Sequence, residues 1–116
     1  MISIIIPSLN EEKFLGQLLK SIKSQDFSDY EIILADAGSK DKTLEIASAV
    51  AKATARQGKN ILRVIPGGLP GKGRNEGAKV AKGNILFFLD ADSFLPENLF
   101  KDAFQEFKTR NLDIAS

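Results

Sequence analysis

"ISIIIPSLNEE", residues 2–12, opens as an unbroken run of mostly β-branched side chains and closes on a proline, a serine, an asparagine and two acids. A short continuous apolar run reads as a strand buried on both faces, and the polar residues after it mark where the chain leaves the core. The pattern recurs at 31–35 "EIILA", 61–65 "ILRVI" and 85–89 "ILFFL". Between these runs the apolar residues switch to helical spacing: Phe14, Leu15, Leu18, Leu19 and Ile22; Leu44, Ala47, Val50 and Ala51; Leu99, Phe100, Ala103, Phe104 and Phe107. Ser8 and Glu11 fit an S-x-x-E capping box for the first helix, Asp41 suits the cap of the second, and Pro96 the first turn of the last. Residues 71–83, "GKGRNEGAKVAKG", predict a short helix with Ala78, Val80 and Ala81 toward the sheet, against the low propensity of its glycines. "LDIAS", 112–116, reads as the start of one more strand.

Alternating strands and helices with buried strands predict one α/β domain over residues 1–116, a Rossmann-like three-layer sandwich around a mostly parallel sheet. Sixteen basic residues against fifteen acidic ones give a net charge of +1, so nothing general draws the chain to nucleic acid. With neither cysteine nor histidine there is no disulfide, no thiol nucleophile and no ordinary zinc site, and a metal would need oxygen ligands. The apolar runs fall far short of the ~20 residues that cross a bilayer. The expected location is therefore cytoplasmic.

In an open sheet of this kind ligands bind beyond the carboxyl ends of the strands. Four polar clusters fall there: "PSLNEE" (7–12), "DAGSKD" (36–41), "PGGLPGKGRN" (66–75) and "DAD" (90–92). If the last stretch is extended, Asp90 and Asp92 point to one side about 7 Å apart. Two carboxylates at the mouth of a buried strand lose solvation and repel, which a divalent cation would relieve. Mg²⁺ and Mn²⁺ suit such oxygen ligands, and Mg²⁺ pairs one or two carboxylates with substrate phosphates. The plainer alternative is that Asp90 ends the strand and Asp92 caps the next turn. The glycine-rich segment is neither a Walker A loop, because Pro66 and Gly73 stand at required Gly and Ser/Thr positions, nor G-x-G-x-x-G, which fails at Glu76. It remains a basic loop whose Lys72 and Arg74 either approach a diphosphate or are simply solvated.

Taken together, "SIIIPSLNEEKFLGQLLKSIKSQ", "YEIILADAGSKDKT", "GKGRNEGAKVAKG" and "ILFFLDADSFLPENL" resemble, in order, the motifs of family 2 glycosyltransferases with the GT-A fold. The resemblance implies that Pro7, Ser8, Asn10 and Glu11 line a base and ribose pocket and that Asp36 accepts a hydrogen bond from the base. It places Lys72 and Arg74 near the diphosphate or sugar, Asp90 near the ribose, and Asp92, with Asp90, at a Mn²⁺ or Mg²⁺ ion bridging the phosphates. The partner would be a UDP- or GDP-sugar, and the transfer to a lipid, protein or glycan acceptor would be inverting. The sequence departs from the pattern at Ala37, where many relatives have a second aspartate. No general base is nominated, because Glu97, Asp102 and Glu106 read as the solvated face of the last helix. The expectation is a donor-binding part of a longer enzyme, incomplete at its C-terminus and inactive alone. Bare apolar surface there would favour homo-oligomers, and a further segment or partner would bring it to the cytoplasmic face of a membrane. A magnesium-dependent phosphohydrolase and a non-catalytic regulatory domain are the alternatives.

Overall fold

The computed structural model describes residues 1–58, 61–68, 70–93, 95 and 98–110. Strands β1 (Ile2–Ser8), β2 (Tyr30–Asp36), β3 (Leu62–Pro66) and β4 (Ile85–Phe88) alternate with helices α1 (Leu15–Lys23), α2 (Thr43–Arg56), α3 (Pro70–Val80) and α4 (Leu99–Arg110). Each apolar run became a strand, and the glycine-rich segment became a helix. The expected strand at 112–116 and the Pro96 and Glu97 assignments lie outside the described residues.

The sheet is parallel throughout, in the order β3-β2-β1-β4. The chain builds outward from β1 to β3 and then returns past β2 and β1 to lay down β4. Right-handed crossovers therefore put α1 and α2 on one face and α3 on the other. On the first face Ile2, Ile4, Ile6, Ile32 and Leu34 pack with Leu15, Leu18, Leu19 and Ile22 of α1, Ala47 of α2 and Phe100 of α4. Phe100 has no exposed surface and its ring meets Tyr30 and Phe87. Each such side chain contributes roughly 2 kcal/mol through burial.

Two helical expectations shift. Phe14 precedes α1 and is exposed, as is Leu44 at the start of α2, so neither is core. On α3 the sheet-facing residues are Gly73 and Gly77, while Val80 is exposed. A side chain at Gly77 would overlap Ile5, and one at Gly73 would come within 3.3 Å of Pro7, so the glycines set how closely α3 approaches β1.

Where α3 ends, a buried polar cluster ties it to the sheet. Glu31 accepts hydrogen bonds from Ser3 Oγ (2.6 Å), the Lys82 amide (2.6 Å) and Arg63 (3.2 Å), and Arg63 also reaches the Val80 carbonyl (2.8 Å). Burial would push the Glu31 carboxyl up, but those donors outweigh it and hold the group below its ordinary value.

Candidate functional site

β1 and β4 are neighbours in the sheet, and the strand order reverses between them, with β2 and β3 to one side of β1 and β4 to the other, so the sheet's switch point lies between their carboxyl ends. A cavity of about 310 Å³ opens there, lined by Pro7, Ser8, Leu9, Glu11, Gly68, Asp90, Ala91 and Asp92. Five sequence-predicted residues, Pro7, Ser8, Glu11, Asp90 and Asp92, meet in it. Leu9, Gly68 and Ala91 were not anticipated, since nothing in an apolar or glycine position announces a pocket wall. A larger cavity, about 540 Å³, lies at the opposite edge of the sheet among Lys23, Gln25, Tyr30 and Gln57, and contains none of the predicted site residues.

The aspartate pair is not on an extended strand. β4 stops at Phe88, and a turn follows in which the Ser93 amide donates to the Asp90 carbonyl (2.9 Å). Ala91 is tucked into the core at 3% exposure, which turns the flanking Asp90 and Asp92 outward. Both are exposed, so desolvation does not force a cation on them as the buried-strand argument supposed. The electrostatic stress appears instead at Glu11, whose carboxyl is raised above its ordinary value first by burial and then by the negative charges of Asp92, Asp41 and Asp90. Arg74 offsets part of this, 3.7 Å from Asp90 Oδ1.

No three acidic side chains among the described residues stand close enough to hold a metal unaided. Asp90 and Asp92 would fit Mg²⁺ or Mn²⁺ only in the form in which one or two carboxylates share the ion with phosphate oxygens. Gly68 leads to α3 at the pocket's rim, and the Lys72 stem folds over Gly68, where an added Cβ would meet its Cδ at 2.7 Å. Lys72 and Arg74 thus belong to the first turns of α3 rather than to a loop.

Asp36 and Asn10 do not line the cavity but brace the loops around it. The β1/β2 register sets Ser8 beside Asp36. Asp36 Oδ1 accepts from Ser8 Oγ (2.7 Å) and Ser39 Oγ (2.6 Å), and Oδ2 from the amides of Gly38 (3.0 Å) and Ser39 (2.8 Å). Burial raises the Asp36 carboxyl, and these four bonds more than reverse it, leaving it below its ordinary 3.8. Ser8 therefore ends a strand and caps no helix: α1 starts after Phe14 with no side-chain cap, because the Ser8 hydroxyl is committed to Asp36. Asp41 does serve the entry to α2, through the Thr43 amide (2.9 Å). Asn10 adopts φ 53° and joins the two loops, its amide donating to Ser39 Oγ (2.9 Å) and its Oδ1 accepting from the Lys40 amide (2.8 Å).

An open parallel α/β sheet with an acidic, glycine-bordered pocket at its switch point belongs to the class of folds that bind nucleotides. More narrowly, residues 3–116 match the model of glycosyl transferase family 2, and the chain belongs to that family. It is 36% identical over 114 residues to the glycosyltransferase EpsJ of Bacillus subtilis, covering 98% of this chain and 32% of EpsJ. It is 36% identical over 107 residues to the poly(ribitol-phosphate) beta-N-acetylglucosaminyltransferase TarS of Staphylococcus aureus, covering 87% of this chain and 18% of TarS. The crystal structure of S. aureus TarS 1–349 in complex with UDP-GlcNAc superposes with a TM-score of 0.82 at 32% identity, over 95% of this chain and 32% of that one. The chain thus spans a third or less of these relatives, and its fold is that of GT-A glycosyltransferases. No helix among the described residues is long and apolar enough to cross a membrane.

Proposed function

We propose that this chain is the donor-binding part of a longer glycosyltransferase, and that the cavity between β1 and β4 takes a nucleoside diphosphate sugar, with UDP-sugars the first candidates. The observation that carries the proposal is the meeting of Glu11, Asp90 and Asp92 with the glycine-bordered start of α3 in one pocket at the switch point. Support for uridine comes from the TarS structure that holds UDP-GlcNAc. The apolar walls, Pro7 and Leu9, suit the base, and the Glu11 carboxylate offers acceptors for ribose hydroxyls. Lys72 and Arg74 stand on the side from which a diphosphate would be met.

In the transfer the bond from the sugar's anomeric carbon to the diphosphate breaks, the acceptor oxygen bonds to that carbon from the opposite face, and the acceptor's proton passes to a carboxylate elsewhere in the enzyme. The electron pair of the broken bond goes to the diphosphate. A bound Mn²⁺ or Mg²⁺ supplies Lewis-acid stabilisation of that charge, with Asp92 and Asp90 to hold it. The family membership argues against the phosphohydrolase alternative.

Calorimetric titration of UDP and GDP, with and without Mn²⁺, on the wild-type chain and on Asp92→Asn tests the proposal. Binding that needs Mn²⁺ and falls at least tenfold in the variant is expected. Undiminished binding by Asp92→Asn would remove Asp92 from the site, and a folded chain that takes up neither nucleotide would overturn the proposal.

A further inference from the structure

Glu11 is the one acid of the cavity wall drawn from the β1–α1 connection, and its carboxyl has no hydrogen-bond donor among the described residues. It lies near the like charges of Asp92, Asp41 and Asp90, so a free loop would let it swing out into water. The loop is not free. The Glu11 amide donates to Thr43 Oγ1 at 2.8 Å. The Thr43 hydroxyl hydrogen goes in turn to Asp41 Oδ1, which turns an oxygen lone pair toward Glu11. Asp41 Oδ2 takes the Glu12 amide at 3.1 Å, and Glu12 Oε2 takes the Lys42 amide at 3.4 Å. Thr43 itself is fully buried at the start of α2. On the other side of Glu11 the left-handed Asn10 is pinned to Ser39 and Lys40.

Three of these bonds hold the backbone amides of residues 10–12, two more use the side chains of Asn10 and Glu12, and none engages the Glu11 carboxylate. We infer that Thr43 and Asp41 are positioning residues, which clamp the β1–α1 loop so that Glu11 is held in the pocket as a ready acceptor for the hydroxyls of a bound nucleotide sugar. The inference rests on the pocket's being the donor site. An acceptor held in place before binding spares the ligand the cost of ordering it. Neither Thr43 nor Asp41 lines the pocket.

Thr43→Val keeps the shape and removes the hydroxyl, while Thr43→Ser keeps the hydroxyl. In the full chain, Thr43→Val is expected to speed amide hydrogen exchange at Glu11 by tenfold or more and to leave Thr43→Ser close to wild type. If the released loop holds the competent position about a tenth of the time, UDP affinity in the presence of Mn²⁺ falls about tenfold. In a Glu11→Ala background, which has no side-chain acceptor to position, Thr43→Val should then change UDP affinity by less than about twofold, because the two substitutions remove the same interaction. An equal tenfold loss in that background would show that Thr43 acts on the fold at large and would overturn the inference. So would Glu11 exchange unaffected by Thr43→Val. A wild-type chain that binds no UDP would instead sink the donor-site proposal, and the exchange experiment would still decide whether the clamp exists.

Discussion

Replacing Asp36 by alanine removes the acceptor that joins β1 to the β2–α2 loop. Four donors lose their partner: Ser8 Oγ, Ser39 Oγ and the amides of Gly38 and Ser39. Hydrogen bonds to a charged group contribute about 1.5–3 kcal/mol each, but Gly38 is exposed and Ser39 half-buried, so three of the four donors can turn to water. Ser8 is 4% exposed and cannot. The loss at pH 7 is therefore about 3 kcal/mol rather than the sum of four bonds. With a urea m-value near 1.5 kcal/mol per M, the unfolding midpoint falls by about 2 M with m unchanged. The dependence on pH has a definite sign. The folded carboxyl is depressed below 3.8, so its contribution is fully present above that value and disappears as pH falls through the lower folded-state value. The gap between wild type and Asp36→Ala should accordingly narrow as urea melts are taken from pH 7 toward pH 3. A loss under about 0.5 kcal/mol at pH 7, or a gap that widens in acid, would refute the reasoning.

Gly77→Ala gains about 1 kcal/mol of helix propensity but drives a methyl into Ile5, at about 1–3 kcal/mol. A net loss near 1 kcal/mol, seen as a melting temperature about 4 °C lower, is expected, and a rise would mean that α3 relaxes away freely. Phe100→Ala empties the space between Tyr30 and Phe87 and should cost about 3–5 kcal/mol in denaturant melts, against a small effect if α4 contributes little to the core. Glu31→Ala orphans the Ser3 hydroxyl and the Lys82 amide and leaves Arg63 without its carboxylate. About 2–4 kcal/mol should be lost, and Glu31→Gln should recover part of it.

Much of the fold was legible because its decisive signals are local. Four continuous apolar runs separated by helical spacing can hardly be arranged except as a parallel sheet between helices, and that arrangement sends every run's polar exit to one edge. What was not legible depends on which residues become neighbours across the sheet. Ser8 and Glu11 have the spacing of a capping box, but the register that sets Ser8 beside Asp36 gives the hydroxyl a charged acceptor, and the helix starts later. The pair of aspartates was read as strand because the apolar run points straight into it. Burial of Ala91 instead bends the chain into a turn and leaves both acids exposed. For α3 the periodicity pointed to Val80, whereas close approach selects the residues without side chains, Gly73 and Gly77. Asn10 and Asp36 were assigned to a ligand, yet here their polar groups hold the two loops together. Their motif is as much a brace for the pocket as part of its wall.

The proposed donor site requires that a nucleoside diphosphate meet the chain at the carboxyl ends of β1 and β4. Amide NMR spectra recorded while UDP and a trace of Mn²⁺ are added test it most directly, since the paramagnetic ion broadens only nearby signals. Broadening that needs UDP and is confined to Ser8 through Glu11, Gly68 and Ala91 through Ser93 is the predicted result. Broadening centred on Lys23, Gln25 and Tyr30 at the opposite edge, or an effect of Mn²⁺ indifferent to UDP, would contradict the account.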